Sequence, residues 1–265
     1  MLLLELRKLR ALKRTYLGLF GAAVIPVVLL IALQVGEGGP PDEVPFARAV
    51  ATNGFAIPLF ALAFASFFLL PLLTSLVAGD AVSGEVQGGT LKTLLTRSVG
   101  RSRVFRAKLG AVAVYALVLL AAQAVVGTAA GVAVLGTDPL PTLSGTTAGG
   151  AEALLRIAGA FLVASITLMA IASFTVMLST LTQNTVAAIG GTVVLIVVLQ
   201  VLSSFESLAF LRPYLVTEQT NAWFGVVRDP VDWWPMARAA IVDVCWALPC
   251  LVVAWRVFVW RDVLS

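Results

Sequence analysis

DAVSGEVQGGTLKTLLTRSVGRSRVFRAK, residues Asp80 to Lys108, is the one long polar, basic stretch in an otherwise apolar sequence. It carries six Lys/Arg against two Asp/Glu, a net +4 that equals the formal charge of the whole chain. Apolar runs long enough to cross a bilayer flank it on both sides, so the stretch belongs in water beside a membrane. Its positive charge selects the cytoplasmic side.

Working outward, the 265 residues are 60% hydrophobic and only 12% charged, with a mean hydropathy of +0.99. A soluble domain of this size needs far more polar surface. The reading is an all-α polytopic membrane protein with six transmembrane helices, forming a single unit over residues 1–265. The spans run from about Tyr16 to Val35, Gly54 to Ala78, Leu109 to Leu135, Ala153 to Leu181, Thr185 to Phe205 and Ala239 to Trp260. Pro26 is expected to kink the first. Pro58 and Pro71 are expected to interrupt the second, at bends where neighbouring protein satisfies the freed carbonyls.

Before the first span, residues 1–15 alternate Leu with cations at helical spacing. Leu2, Leu6, Leu9 and Leu12 share one face and Arg7, Lys8, Arg10, Lys13 and Arg14 crowd the others. That pattern predicts an interfacial amphipathic helix. A cleaved signal peptide is the competing reading, but the following apolar run is too long and no A-x-A site closes it. The connections 36–53 and 136–152 are rich in turn residues and acidic.

Six spans place both termini on one side. Arg7, Lys8, Arg10, Lys13, Arg14, the six basic residues of the 80–108 loop, Arg256 and Arg261 then share that side, thirteen of the 18 Lys/Arg. The positive-inside rule makes it the cytoplasm, with the plasma membrane as the location. The same topology accounts for the pI near 9.4 without any nucleic-acid partner. The chain has no histidine, which removes His-based metal, haem and nucleophile chemistry. Cys245 and Cys250 lie in the last apolar run at a spacing that matches no zinc or redox motif. No metal site is expected.

Within the 80–108 loop, Val86, Leu91, Leu94 and Leu95 make an apolar helical face between Glu85 and Thr96, weakened at its start by Gly88-Gly89. Ser98-Val99-Gly100 breaks the helix, and Arg101, Arg103, Arg106 and Lys108 form a basic collar on the rising third span. A short apolar face between two connections invites a partner groove, whereas the collar anchors the span to anionic lipid.

Inside the spans, polar groups are the other candidates. Asp243 sits about one turn into the sixth span, where it contacts a substrate or cation, snorkels to the outer interface or pairs with Arg238. Gln123, Gln200, Ser165, Ser173 and Thr180 either line a pathway or pack helices, as Gly127-x-x-x-Gly131 and Gly190-Gly191 are expected to do. Residues 206–238, with Trp223, Trp233 and Trp234, read either as a loop or as short re-entrant helices resting in the outer interface.

The order Gly79-Asp80, Glu85, Gly89-Thr90, Leu94-Leu95, Arg101 and Lys108 after the second of six spans resembles permease subunits of type-2 ABC exporters. Ser98 stands where that family often has Pro. The basic N-terminal helix, the short turn Thr182-Gln183-Asn184 and the Arg261-Asp262 ending extend the likeness over the whole chain, although the specific motif covers about 30 residues. The resemblance implies that Glu85, Gly89, Thr90, Leu91, Leu94 and Leu95 form a coupling helix seated on a separate ATPase subunit, with Arg101 holding its end. The chain has no GxxxxGK[ST] phosphate cradle. ATP and Mg²⁺ would therefore be bound by that partner, a second permease copy would complete the pathway, and the chain would be no enzyme by itself. An apolar pathway with hydroxyls favours amphipathic or lipid-like cargo. An ion-gradient transporter or a non-transporting membrane protein are the rival readings.

Overall fold

The computed structural model describes residues 1–35, 52–88 and 100–260. Its helices are α1 (Leu2–Ala11), α2 (Lys13–Val35), α3 (Ala56–Ser66), α4 (Leu69–Gln87), α5 (Arg101–Leu135), α6 (Gly150–Thr182), α7 (Thr185–Ser204) and α8 (Trp233–Trp260). Two 3-10 segments, Glu206–Tyr214 and Glu218–Val227, lie between α7 and α8. Leu140–Pro141 and Thr147–Ala148 form a minimal antiparallel hairpin, β1 and β2, between α5 and α6. Six of the helices (α2, α4, α5, α6, α7 and α8) are long and apolar enough to cross a membrane.

The expected second span divides in two. The helix breaks at Phe67–Phe68, where Phe68 adopts φ −145° and ψ −46°, and neither proline marks the gap. Pro58 and Pro71 each occupy the third position of a new helix, where a missing N–H costs no intrahelical bond. The Phe67 carbonyl, in the gap between the two helices, needs a donor from elsewhere. Gln200 of α7 supplies one, donating from Nε2 at 2.7 Å. That contact closes the gap between the two helices and does not replace a bond lost to proline, so the bends expected at Pro58 and Pro71 are not found there.

Helix termini elsewhere follow local chemistry. Asn184 caps α7 by accepting from Val186 N and Ala187 N, after Gln183 turns the chain at φ 52°. The last span begins at Trp233 rather than Ala239, because Asp232 accepts from Trp234 N at 3.2 Å and Pro235 falls in the first turn.

α6 is the central helix and packs on α4, α5, α7, α8 and the second 3-10 segment. Between helices in lipid there is little hydrophobic driving force, so close contact depends on small residues. α6 supplies Ala153, Ala160, Ala164 and Ala172 to its buried faces. The GxxxG pair of α5 does the same. A side chain at Gly127 would press on Pro58 and Pro26, and one at Gly131 on the Gly54 carbonyl. Gly191 closes on Leu178, whereas Gly190 has nothing within 4 Å, so only half of that predicted pair packs.

Trp223 is fully buried among Ile157, Phe161 and Val227, not seated in an outer interface. Its carrier, the second 3-10 segment, lies against α6 and α8, which removes the ring from the surface. Trp233 and Trp234, both 72% exposed, keep the surface position expected of interface aromatics.

Candidate functional site

The final two turns of α4 gather a cluster of ion pairs around a buried carboxylate. Glu85 is 2% exposed and accepts from Lys8 Nζ of α1 at 2.5 Å through Oε1. Its Oε2 faces Lys108 Nζ of α5 at 2.6 Å, and Lys108, itself 3% exposed, also lies 3.6 Å from Glu5 Oε1 of α1. One turn earlier, Asp80 Oδ1 meets Arg14 Nη1 of α2 at 2.8 Å. Taking such charges out of water costs several kcal/mol per ion, on the order recovered only with close geometry and full pairing. Here every carboxylate has a cation within reach and the cluster spans four helices.

A seam of hydroxyls lies on the same turns. Ser179 Oγ of α6 donates to the Gly79 carbonyl at 2.6 Å and accepts from Ser83 N at 3.0 Å. Ser83 Oγ donates to that carbonyl as well, and sits 2.9 Å from Thr185 Oγ1 of α7. Gly79 admits α7, since a Cβ there would come within 2.8 Å of Ile189 Cγ1. An inserted hydroxyl competes with the helical ladder and marks a place where a helix bends. The end of α4 is thus held by side chains from α1, α2, α5, α6 and α7.

Glu85 therefore differs from its expected place. It closes α4 and points into the bundle, whereas the sequence puts it on a separate surface helix. Gly89, Thr90, Leu91, Leu94 and Leu95 lie outside the described residues, as does Arg261-Asp262. Arg101 starts α5 and donates from Nη1 to the Val259 carbonyl at 2.9 Å, a cation on the last turn of α8. Trp255 Nε1 donates to Ser102 Oγ at 3.1 Å beside it.

The polar groups predicted inside the spans occupy separate environments. Ser165, Ser173 and Thr180 donate to the Leu162, Met169 and Met177 carbonyls of their own helix. Gln123 is fully buried on α5, with no partner for its amide among the described residues. Asp243 is 1% exposed and accepts from Thr167 Oγ1 at 2.6 Å, so it neither snorkels nor pairs with Arg238. Its position on the inner face of α8, against α6, takes it out of reach of water.

Sequence reading passed over the partners: Glu5, Lys8, Arg14 and Lys108 as ion-pair members, Ser83 with Ser179, and Thr167. Arg156 was overlooked too. At 8% exposure it donates to the Val226 and Arg228 carbonyls at 3.1 and 2.7 Å and to Glu152 Oε1 at 2.6 Å. The available signal was an arginine four residues after a glutamate near the start of a span.

These features define a class: an all-α, multi-pass membrane protein with an ion-pair cluster that ties four helices together at one end of the bundle. The chain belongs to the family described as "protein of unknown function (DUF2705)", whose pattern matches residues 19–264. A comparison with curated proteins finds no match.

Proposed function

We propose that the protein is the membrane-spanning permease subunit of a type-2 ABC exporter. In this reading residues 89–99 dock on a separate ATPase subunit, which binds ATP and Mg²⁺, and the chain performs no chemistry of its own. Both termini and the basic end lie in the cytoplasm. α1 lies at the headgroup level of the plasma membrane, and a second copy of the chain completes the pathway for an amphipathic or lipid-like substrate.

One observation carries the reading. The last turns of α4 lead directly into residues 89–99, and Asp80, Ser83 and Glu85 on those turns are bonded to five other helices. A push on that connection acts on the whole bundle through bonded contacts, which is what coupling of nucleotide hydrolysis to transport requires. Glu85 then acts as a strut inside the permease, and the docking contacts fall to Thr90, Leu91, Leu94 and Leu95.

The test is affinity purification of the tagged full-length chain from its native membrane, with ATP turnover measured after reconstitution. An ATP-binding subunit is expected to accompany it. Leu94→Arg should strip that subunit away. Glu85→Gln should retain it while lowering substrate-stimulated turnover. Purification without any ATP-binding subunit overturns the proposal.

A second reading, transport driven by an ion gradient, draws on the buried Asp243–Thr167 pair. It requires uptake by vesicles without nucleotide, abolished by Asp243→Asn.

A further inference from the structure

Between α1, the first turns of α2 and the middle of α5 lies a groove of about 310 Å³ that is separate from the ion-pair cluster. That volume is at the small end of ligand-holding sites, about 300–1,000 Å³. Leu6, Leu9, Val114 and Val118 form apolar walls, and Arg10, Thr15 and Tyr16 provide the polar groups. Thr15 is 7% exposed, yet its Oγ1 has no partner among the described residues.

The cations of this end divide into two sets. Lys8, Arg14 and Lys108 are paired with carboxylates. Among the described residues Arg7, Arg10 and Lys13 have no carboxylate within 4.0 Å; all three are exposed, and Arg10 lines the groove. An unneutralised cation group over an apolar channel is complementary to a molecule with an anionic head and a hydrocarbon tail.

Depth distinguishes a lipid from a peptide. Val118 stands nine residues past Leu109, where the third span begins, roughly 14 Å along its axis at 1.5 Å per residue. The groove therefore runs along a span, within the hydrocarbon layer, where an unpaired peptide backbone is excluded.

We propose that the groove holds one anionic phospholipid. Its phosphate rests on Arg10 within the field of Arg7 and Lys13, the Thr15 hydroxyl donates to the glycerol-ester region, and an acyl chain passes Val114 and Val118. This site does not depend on the exporter reading.

Native mass spectrometry of the full-length chain, released from nonionic detergent with added lipid, tests it. Phosphatidylglycerol should be retained, one molecule per chain, over phosphatidylcholine with the same acyl chains. Arg10→Gln should reduce that retention about fivefold, the effect of one cation near an anionic headgroup. Val118→Trp enters from an exposed wall, 46% accessible, and should expel the lipid while leaving the protein monodisperse. Arg238→Gln removes an exposed cation of α8 that does not line the groove and should change nothing. Equal retention of the two lipids overturns the proposal, as does unchanged binding in Arg10→Gln or Val118→Trp. Competition by glycerol phosphate as strong as by phosphatidylglycerol would make the site one for a free anion and overturn it as well.

Discussion

At the basic end of the bundle, Glu85, Lys108, Lys8, Asp80 and Arg14 satisfy one another side chain to side chain. At the opposite end, buried and half-buried donors turn largely to the backbone, although Arg156 also pairs with Glu152. Arg156 serves the Val226 and Arg228 carbonyls and Arg212 the Ser203 carbonyl. Asn53 donates to Asp138 and Pro139, and Gln219 to Pro213 and Leu215. The difference follows from the chain path. The basic end is made of regular helices most of whose carbonyls are already bonded, so its charged side chains mostly meet each other, with Arg101 on the Val259 carbonyl as the exception. The opposite end is made of 3-10 segments, a two-residue hairpin and turns, whose carbonyls have no ladder and must be satisfied individually. One end is a network of replaceable charges, and the other is a set of clamps on irregular backbone.

The largest effect that can break this comparison is removal of the network's centre. Glu85→Ala leaves Lys108 buried without its closest partner and should cost about 3–5 kcal/mol, read as a large fall in the thermal unfolding midpoint in detergent. Glu85→Ala combined with Lys108→Met should recover most of the loss, because an apolar pair needs no compensation. If the double variant is as weak as the single one, the pair does not act as a unit.

At the other end, Arg156→Met removes bonds to two carbonyls and should cost about 1.5–3 kcal/mol. No second substitution in a neighbouring side chain should rescue it, since backbone groups remain orphaned. Limited proteolysis is the measurement: cleavage should accelerate between residues 206 and 232 and stay unchanged at α1.

Two glycines sharpen the same contrast at about 1–3 kcal/mol each. Gly79→Ala meets the Ile189 side chain at 2.8 Å, so Ile189→Ala should restore the melting temperature. Gly131→Ala meets the Gly54 carbonyl, which no side-chain change can move. The smallest expected effect is Ser179→Ala, about 1 kcal/mol, seen as faster amide exchange at Val82 and Ser83. Equal protection in both proteins would show that the inserted hydroxyl contributes nothing.

Much of the fold was legible because the solvent for these helices is hydrocarbon, which imposes a local rule on every run of residues. Five of the six long apolar helices emerge where runs were read, while the sixth, α4, is displaced toward the loop, and Asn184 and the N-terminal Leu/cation pattern each produce the turn or helix expected of them. The break at Phe67–Phe68 was invisible because Phe-Phe is no turn signal and neither proline falls at the gap. Trp223 misled because a tryptophan between polar residues has the composition of an interface anchor, whether or not a neighbouring helix covers it. Glu85 misled for a similar reason: a carboxylate in a polar stretch reads as exposed until its cations are known. Of the residues marked as site candidates, Glu85 and Asp243 are deeply buried with specific partners, while the serines of α6 are bonded to their own helix.

The sequence by itself determined that this chain enters a membrane, how many times it can cross, and which end carries the positive charge. Each of these depends on sums over neighbouring residues, and such sums can be read along the chain. The tertiary structure alone decided which charge meets which. Lys8 reaches Glu85 across 77 residues of sequence, and Gln200 reaches Phe67 across 133. Those pairings follow from which helices lie side by side, and helix adjacency is a property of packing that no local composition encodes.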